Sequence, residues 1–243
     1  MSEELWKVKY VVYRQKEGQV GRFESYDLEI HPEEYVLDGV EKIWAFHDRS
    51  LSFRHACHHS TCGACGMVVN GKEKLTCITQ IKDVTTNGGT LRVEPMRNFP
   101  ILSDLVVDLG VLYAKMDKVK AKSVIPLWQQ PAKPGIAREK NGKSETEIIR
   151  LVDCIECGLC ISACPVAATT PDYLGPAVLA AIQVQGLQDA PELIAFADSA
   201  DGVWRCHSAY ECTEACPSNV DPGWRIMDLR KQVISTRFKQ LFR

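Results

Sequence analysis

Residues 154–165 read Cys-Ile-Glu-Cys-Gly-Leu-Cys-Ile-Ser-Ala-Cys-Pro, and this stretch decides how the second half of the chain folds. Its spacing, Cys-x2-Cys-x2-Cys-x3-Cys-Pro, is that of the bacterial ferredoxin run, which holds iron–sulfur clusters through cysteine thiolates. In two-cluster ferredoxins the fourth cysteine of each run ligates the cluster of the other run. The stretch therefore predicts a second run elsewhere in the sequence.

The second run occupies residues 206–217, Cys-His-Ser-Ala-Tyr-Glu-Cys-Thr-Glu-Ala-Cys-Pro. It lacks one ligand, because Ala209 stands where the second cysteine is expected. Exchange of the fourth cysteines then gives one set of four thiolates and one set of three. The set of four predicts a [4Fe–4S] cluster and consists of Cys154, Cys157, Cys160 and Cys216. The set of three predicts a [3Fe–4S] cluster, because a cubane corner without a thiolate tends to lose its iron, and consists of Cys164, Cys206 and Cys212.

A third group of cysteines lies upstream and has the plant-type ferredoxin spacing of a [2Fe–2S] site. Its members are Cys57, Cys62, Cys65 and Cys77. We expect Gly63 and Gly66 to let this loop pack tightly and aim backbone N–H groups at sulfur, and Cys77 to arrive from a following strand. The alternatives are a four-cysteine zinc site and a Rieske centre using His58 and His59. The spacing disfavours the first and the four cysteines disfavour the second, so we interpret the two histidines as exposed loop residues.

The composition supports metal ligation and limits the other functions. The chain has 243 residues and eleven cysteines, an odd number that excludes a full set of internal disulfides. The three groups use four, four and three, which accounts for all of them. A formal net charge of −2 argues against nucleic acid as a partner. The first residues show no secretory signal and no apolar stretch is long enough for a membrane span, so we expect a soluble chain kept in the cytoplasm.

The chain divides by periodicity into a β-rich first part and a helix-rich second part. We predict a [2Fe–2S] domain over 1–113, a solvated connection over 114–146 and a helical two-cluster domain over 147–243. The period-two and turn patterns predict strands at 6–12, 26–30, 67–69 and 91–94, with a hairpin turn at Asn70-Gly71. Helical spacing predicts helices at 36–46, 176–184, 192–197 and 222–242.

This arrangement resembles the iron–sulfur subunit of succinate:quinone oxidoreductases and fumarate reductases over nearly the whole chain. The residues that carry the resemblance are 62–70 (Cys-Gly-Ala-Cys-Gly-Met-Val-Val-Asn), 98–101 (Asn-Phe-Pro-Ile), 104–108 (Asp-Leu-Val-Val-Asp), 154–160, 175–177 (Gly-Pro-Ala) and 202–207 (Gly-Val-Trp-Arg-Cys-His). The resemblance implies an α+β protein. Its β-grasp plant-type ferredoxin domain would be followed by an α-helical bacterial-type two-cluster domain.

The resemblance also implies a relay of electrons. A separate flavoprotein subunit would interconvert succinate and fumarate at FAD, and electrons would pass through the [2Fe–2S], [4Fe–4S] and [3Fe–4S] clusters to or from a quinone. The quinone would be held by membrane anchor subunits, with or without haem. The chain would then lie peripherally on the cytoplasmic face of the cell membrane. Its own residues would include no catalytic acid or base.

Several points stay open at this level. Residues 160–165 and 220–222 resemble fumarate reductases, whereas 205–208 resemble succinate dehydrogenases. The direction of the reaction, succinate oxidation or fumarate reduction, is therefore undecided. His207, Pro165 and Val166 are the candidate quinone-proximal residues, and His207 is alternatively a histidine packed against a cluster. A tryptophan that contacts ubiquinone in the family is absent after Pro165, which favours menaquinone. The competing functions are a free-standing ferredoxin-type carrier and the electron-transfer subunit of a thiol- or heterodisulfide-linked reductase.

Overall fold

The computed structural model describes residues 5–120, 138–140, 143–145, 154–185 and 191–241. Its first part is a five-stranded mixed sheet. The strands are β1 (Trp6–Arg14), β2 (Arg22–Ile30), β3 (Gly66–Val69), β4 (Lys72–Leu75) and β5 (Thr90–Glu94). Their order is β2-β1-β5-β3-β4; β1 and β5 are parallel, and the other neighbours are antiparallel.

The alternating pattern of β1 builds the core of this part. Val8, Tyr10 and Val12 are buried on one face of the sheet because side chains two residues apart point the same way. Helix α1 (Val36–Lys42) continues into a single π-helical turn, Ile43–His47, and joins the same core through its buried apolar face. The predicted strands and this helix are confirmed. The hairpin is confirmed too, since Asn70 and Gly71 both have the positive φ that a type I′ turn requires.

Smaller elements lie between β4 and β5 and after the last strand of the sheet. They are α2 (Ile81–Val84), β6 (Ile101–Ser103), β7 (Val106–Val107), α3 (Gly110–Val119), β8 (Arg138–Lys140) and β9 (Lys143–Glu145). Residues 114–119 of the predicted connection belong to α3, which buries Met116 and Val119 because they recur at helical spacing after Leu112. The rest of that connection, apart from Lys120 and the β8–β9 hairpin, lies outside the described residues. The domain bounds stay a prediction.

Helices make up the second part of the chain; most are short, but the last has 20 residues. They are α4 (Leu159–Ser162), α5 (Pro165–Thr169), α6 (Pro176–Gln185), α7 (Ile194–Ala197), α8 (Glu211–Glu214) and α9 (Pro222–Leu241). Helix α6 is buried over its first seven residues and packs against α9, which presents Ile226, Leu229 and Val233 to it. A sheet part followed by a helical part confirms the α+β class. Within the described ranges, no helix has the length and apolar character needed to cross a bilayer.

The two parts share a boundary that polar and apolar contacts hold together. One cluster of buried side chains includes Leu75 and Phe99 from the first part and Leu159 and Ile161 from the second. Asn98 crosses the boundary at its edge. Its side-chain amide donates hydrogen bonds to the backbone carbonyl oxygens of Ile161, Ser162 and Cys164, at 2.8, 3.0 and 3.0 Å.

Asn98 suits this position in a second way. Its φ is +63°, in the left-handed region that asparagine tolerates better than most other residues. The adjacent backbone N–H of Arg97 donates to the Ser162 hydroxyl at 2.9 Å, and that hydroxyl donates to Glu73 at 2.9 Å. The chain segment that carries Cys164 is therefore tied to the first part by side chains at both Asn98 and Ser162.

We predict that Asn98→Ala destabilises the protein by about 3 kcal/mol, through lost hydrogen bonds and a left-handed backbone that alanine disfavours. For a chain of this size the Tm should fall by roughly 5–10 °C, measured on the cluster-loaded chain by thermal loss of visible absorption. Asn98→Gly is the matched control, because glycine loses the same hydrogen bonds but tolerates the left-handed backbone. Its Tm should fall less than that of Asn98→Ala. Equal stability of wild type and Asn98→Gly would contradict a role for the amide.

Candidate iron–sulfur sites

Four thiols of the first part converge on one site. Cys57, Cys62 and Cys65 lie on one loop before β3, as predicted. The prediction that Cys77 lies on a strand is wrong, because β4 ends at Leu75 and Cys77 lies in a 3₁₀ turn, Thr76–Ile78. That turn is held back against the loop, since the backbone N–H and hydroxyl of Thr76 donate to the Cys65 carbonyl oxygen at 3.2 and 2.9 Å.

Backbone N–H groups surround the Cys57 sulfur. Those of His59, Thr61 and Cys62 lie 3.5, 3.3 and 3.4 Å from it. These hydrogen bonds, that of His59 first, outweigh burial and lower the pKa of the Cys57 thiol to about 6. The loop therefore favours a thiolate, which is the form that binds iron.

The deeper thiols of this group have the opposite environment. Cys65 and Cys77 are buried, and burial followed by the neighbouring Cys65 thiol raises the pKa of Cys77 to about 12. A buried thiolate needs a compensating positive charge, and iron supplies one. Four converging thiols with donors aimed at sulfur thus fit a [2Fe–2S] cluster by the chemistry of the donor set.

The first helical site is a cavity lined by Cys154, Cys157, Cys160 and Cys216. Ala177 and Ala180 of α6 form its apolar wall. Burial raises the pKa of Cys157 to about 12 and that of Cys160 well above its ordinary value. These thiols are the four that the ferredoxin spacing puts together, and soft thiolates in an apolar cavity suit an iron–sulfur cluster.

The second helical site is a separate cavity lined by Cys164, Cys206 and Cys212, with Ala209 in its wall. Burial, then the charges of the other two thiols, raises the pKa of Cys212 to about 12. The structure therefore brings together the three thiols that the sequence puts in one set, and it places the methyl group of Ala209 beside them. A fourth sulfur ligand is not among the residues lining this cavity in the described chain.

Tyr173 is a residue of the second cavity that the sequence does not point to. It is 1% exposed, and its hydroxyl lies beside the Cys206 sulfur. Burial, followed by the charges of Cys206 and Cys164, holds the pKa of Tyr173 above its ordinary value. Its hydroxyl is therefore neutral and can donate to sulfur in this cavity. A buried tyrosine between Asp172 and Leu174 in a loop carries no sequence signal that separates it from a core residue.

The candidate quinone-proximal residues lie at the outer wall of the same cavity. Pro165, Val166 and His207 all line it. His207 and Pro165 are exposed, whereas Val166 is buried in α5. The structure thus places them beside the three-thiol set, and their relation to quinone stays a prediction.

The three sites adjoin one another in series. Gly63, with a φ of +71°, lies so close to Cys157 that an added Cβ would be 2.6 Å from the Cβ of that cysteine. Cys160 is near enough to Cys212 for that thiol to contribute, after burial and after Cys157 and Cys154, to the raised pKa of Cys160. The [2Fe–2S] loop therefore touches the four-thiol set, which adjoins the three-thiol set.

Comparisons with known proteins agree with this geometry. Residues 9–114 match the family described as a 2Fe-2S iron-sulfur cluster binding domain, and residues 150–220 match a 4Fe-4S dicluster domain. The chain is 37% identical over 236 residues to a fumarate reductase iron-sulfur subunit of Mycobacterium tuberculosis, covering 94% of this chain and 93% of the relative. A subunit of the same name from Haemophilus influenzae is 32% identical, and the match covers 90% of this chain and 89% of the relative. In fold, the chain is similar to a chain of the solved Mycobacterium smegmatis Sdh1 complex in the apo form, with a TM-score of 0.75 and 23% sequence identity. The match covers 96% of this chain and 98% of that chain.

The two matched domains and the converging thiols define an iron–sulfur electron-transfer protein. More specifically, the chain belongs to the family of fumarate reductase iron–sulfur subunits. The sequence-based recognition of this family is confirmed.

We predict that Gly63→Ala separates the first cysteine loop from Cys157. The new methyl group would meet the Cα and Cβ of Cys157 within 3.0 Å, and the left-handed backbone disfavours alanine. Gly88→Ala is the matched control, because Gly88 has a φ of +76° and no atom within 4 Å of an added Cβ. The Tm should fall by about 5 °C more in Gly63→Ala than in the control. Equal decreases in the two variants would mean that the contact with Cys157 is not tight in solution.

Proposed function

We propose that the chain relays electrons between FAD on a flavoprotein subunit and a quinone in a membrane anchor. The observation that carries the proposal is the contact order of the three cysteine sites. The [2Fe–2S] loop touches Cys157 of the four-thiol set, and Cys160 of that set adjoins Cys212 of the three-thiol set. A series of adjoining redox centres suits electron transfer between two separate partners, whereas a free carrier needs only one exposed centre.

Each site would hold one cluster through the thiols assigned to it. Cys57, Cys62, Cys65 and Cys77 would hold [2Fe–2S]; Cys154, Cys157, Cys160 and Cys216 would hold [4Fe–4S]; and Cys164, Cys206 and Cys212 would hold [3Fe–4S]. The clusters would supply one-electron redox chemistry when bound. The protein's own residues would exclude water and set the potentials, through the N–H groups around Cys57 and the Tyr173 hydroxyl beside Cys206.

The two ends of the series would face different partners. The [2Fe–2S] loop is exposed at Cys62 and at His58 and would face the flavoprotein. The three-thiol cavity opens beside His207 and Pro165, with exposed Trp204 and Tyr210 nearby in sequence, and would face the anchor and its quinone. Helix α9 exposes Ile234, Phe238 and Leu241, which could extend the same contact with a membrane subunit. The chain would then be peripheral on the cytoplasmic face of the membrane.

The names of the relatives bear on the reaction that the complex would perform. Those from Mycobacterium tuberculosis and Haemophilus influenzae are fumarate reductase subunits, whereas the similar solved fold comes from a complex titled Sdh1. The same series of centres serves either direction, so we propose succinate–fumarate interconversion on the partner flavoprotein without assigning a direction. Menaquinone is the quinone that the sequence after Pro165 favours.

We predict that the chain copurifies with a larger flavoprotein and that redox-titrated EPR of the complex resolves three distinct centres. Crosslinks from the flavoprotein should map near His58, and those from the membrane subunit near His207 and Val166. A chain that purifies alone with full cluster content and no flavin would favour the free carrier. Crosslinks in the reverse positions would contradict the proposed assignment of the flavoprotein and the membrane subunit to the two ends of the cluster series.

We predict that Ala209→Cys converts the three-iron centre to a four-iron centre. The new thiol would enter the cavity that Cys164, Cys206 and Cys212 line, at the repeat position that matches Cys157. In the air-oxidised protein a [3Fe–4S] centre is paramagnetic, whereas [4Fe–4S]²⁺ is EPR-silent. The oxidised three-iron signal should therefore disappear while iron per chain rises by one.

The control for this variant is Ala168→Cys, which adds a thiol to exposed α5 close to Cys164 but outside the cavity lining. Its three-iron signal should be that of the wild type. A full three-iron signal in Ala209→Cys, with unchanged iron content, would show that residue 209 does not face the ligand-free corner and would reopen the assignment of the three-thiol set.

A further inference from the structure

Glu41, His55 and His58 bring three potential metal ligands together beside the first cysteine loop. Glu41 lies on α1, whereas His55 and His58 lie on the segment that leads into and past Cys57. His55 Nδ1 is 3.0 Å from His58 Nε2 and 3.2 Å from Glu41 Oε1, and His58 Nε2 is 3.4 Å from the same oxygen. The three atoms thus form a nearly equilateral triangle contributed by two separate segments.

The size of this triangle matches a first coordination shell. Zinc binds imidazole nitrogen and carboxylate oxygen at about 2.0–2.1 Å, and tetrahedral angles then separate the ligand atoms by about 3.3 Å. The observed separations of 3.0–3.4 Å lie around that value. A single cation in contact with all three atoms therefore requires almost no rearrangement.

The carboxylate oxygen supplies an independent observation. Glu41 Oε1 is buried, yet it accepts no hydrogen bond from any part of the chain that the structure describes, although two ring nitrogens lie within 3.4 Å. A buried carboxylate oxygen without a donor is costly. The two nitrogens are close enough to share a cation with it but are not aligned to donate hydrogen bonds to it.

The surroundings hold the ligands while leaving access from solvent. The His55 ring stacks on Phe53, with centroids 5.2 Å apart and planes at 18°, and Phe53 contacts Trp44 edge to face. The side chains of His55 and His58 are 41% and 44% exposed. A cation could therefore enter from one side and keep a water molecule as its remaining ligand.

We propose that Glu41, His55 and His58 form a binding site for a divalent transition-metal cation of the zinc class, separate from the cysteine sites. Two imidazoles and one carboxylate suit Zn²⁺, Ni²⁺ or Cu²⁺ and are poor ligands for Ca²⁺ and Mg²⁺, which prefer oxygen. The site binds one cation per chain at the surface next to the [2Fe–2S] loop. The cation bridges α1 and that loop.

The test is equilibrium dialysis of the cluster-loaded full chain against Zn²⁺, with iron measured before and after. One Zn²⁺ per chain should bind without loss of iron, and Glu41→Gln and His55→Gln should each weaken binding by at least about tenfold. His58→Asn is a third variant, chosen because asparagine tolerates the φ of +57° at this position. His47→Gln is the matched control, an exposed histidine after α1 outside the triangle, and should bind as the wild type does.

Zinc K-edge X-ray absorption identifies the ligands directly. The proposed site gives nitrogen and oxygen neighbours at about 2.0 Å and no sulfur at about 2.3 Å. Sulfur neighbours together with loss of iron would mean that zinc had replaced iron at the cysteines, and would overturn the proposal. Equal affinity in wild type, His55→Gln and Glu41→Gln would overturn it as well, because the three side chains would then be only a local polar contact.

Discussion

The contact between Gly63 and Cys157 is the constraint on which the rest of the arrangement depends. A side chain at residue 63 would occupy the space of the Cys157 Cβ, so the close approach of the first cysteine loop to the helical part requires glycine with a left-handed backbone. The shared apolar cluster and the Asn98 amide hold the two parts in this position. Electron transfer slows steeply with distance. The interface matters because it fixes the separation between the redox centres.

Iron binds thiolates, but a thiolate is unstable when it is buried in an apolar environment. The fold stabilises the cysteine thiolates in two different ways. At the exposed edge, backbone N–H groups stabilise the Cys57 thiolate and lower its pKa. In the helical part, burial raises the pKa of Cys157, Cys160 and Cys212, so these sulfurs need the positive charge of iron to be thiolates at neutral pH. Short helices such as α4 and α8 contribute little core of their own. Cluster binding and folding of this part are therefore expected to be strongly coupled.

The surface divides into regions of different chemistry along the same series of sites. The end near Cys57 carries the titratable Glu41–His55–His58 triangle and, on the neighbouring π-helical turn, exposed Trp44 and Phe46. The end near Cys206 carries exposed aromatic residues, Trp204 and Tyr210, and leads to the apolar face of the last turns of α9. Exposed aromatic side chains at both ends mark surfaces that partner subunits could cover. The exposed apolar residues at the end of α9 distinguish the second of these surfaces from the first.

The sequence by itself determined the cysteine groups, the α+β class, the principal strands and helices, and the family, because ferredoxin spacings and hydrophobic periodicity are local properties of the chain. It also predicted which thiols share a cavity, since the exchange of fourth cysteines follows from the repeated run. Only the tertiary structure decided that Cys77 lies in a 3₁₀ turn, that residues 114–119 extend a buried helix, and that Tyr173 faces the three-thiol cavity. The approach of Gly63 to Cys157, the Asn98 amide across the boundary and the Glu41–His55–His58 triangle likewise join segments distant in sequence. Their distances depend on how the sheet packs against the helices, and no local pattern encodes that packing.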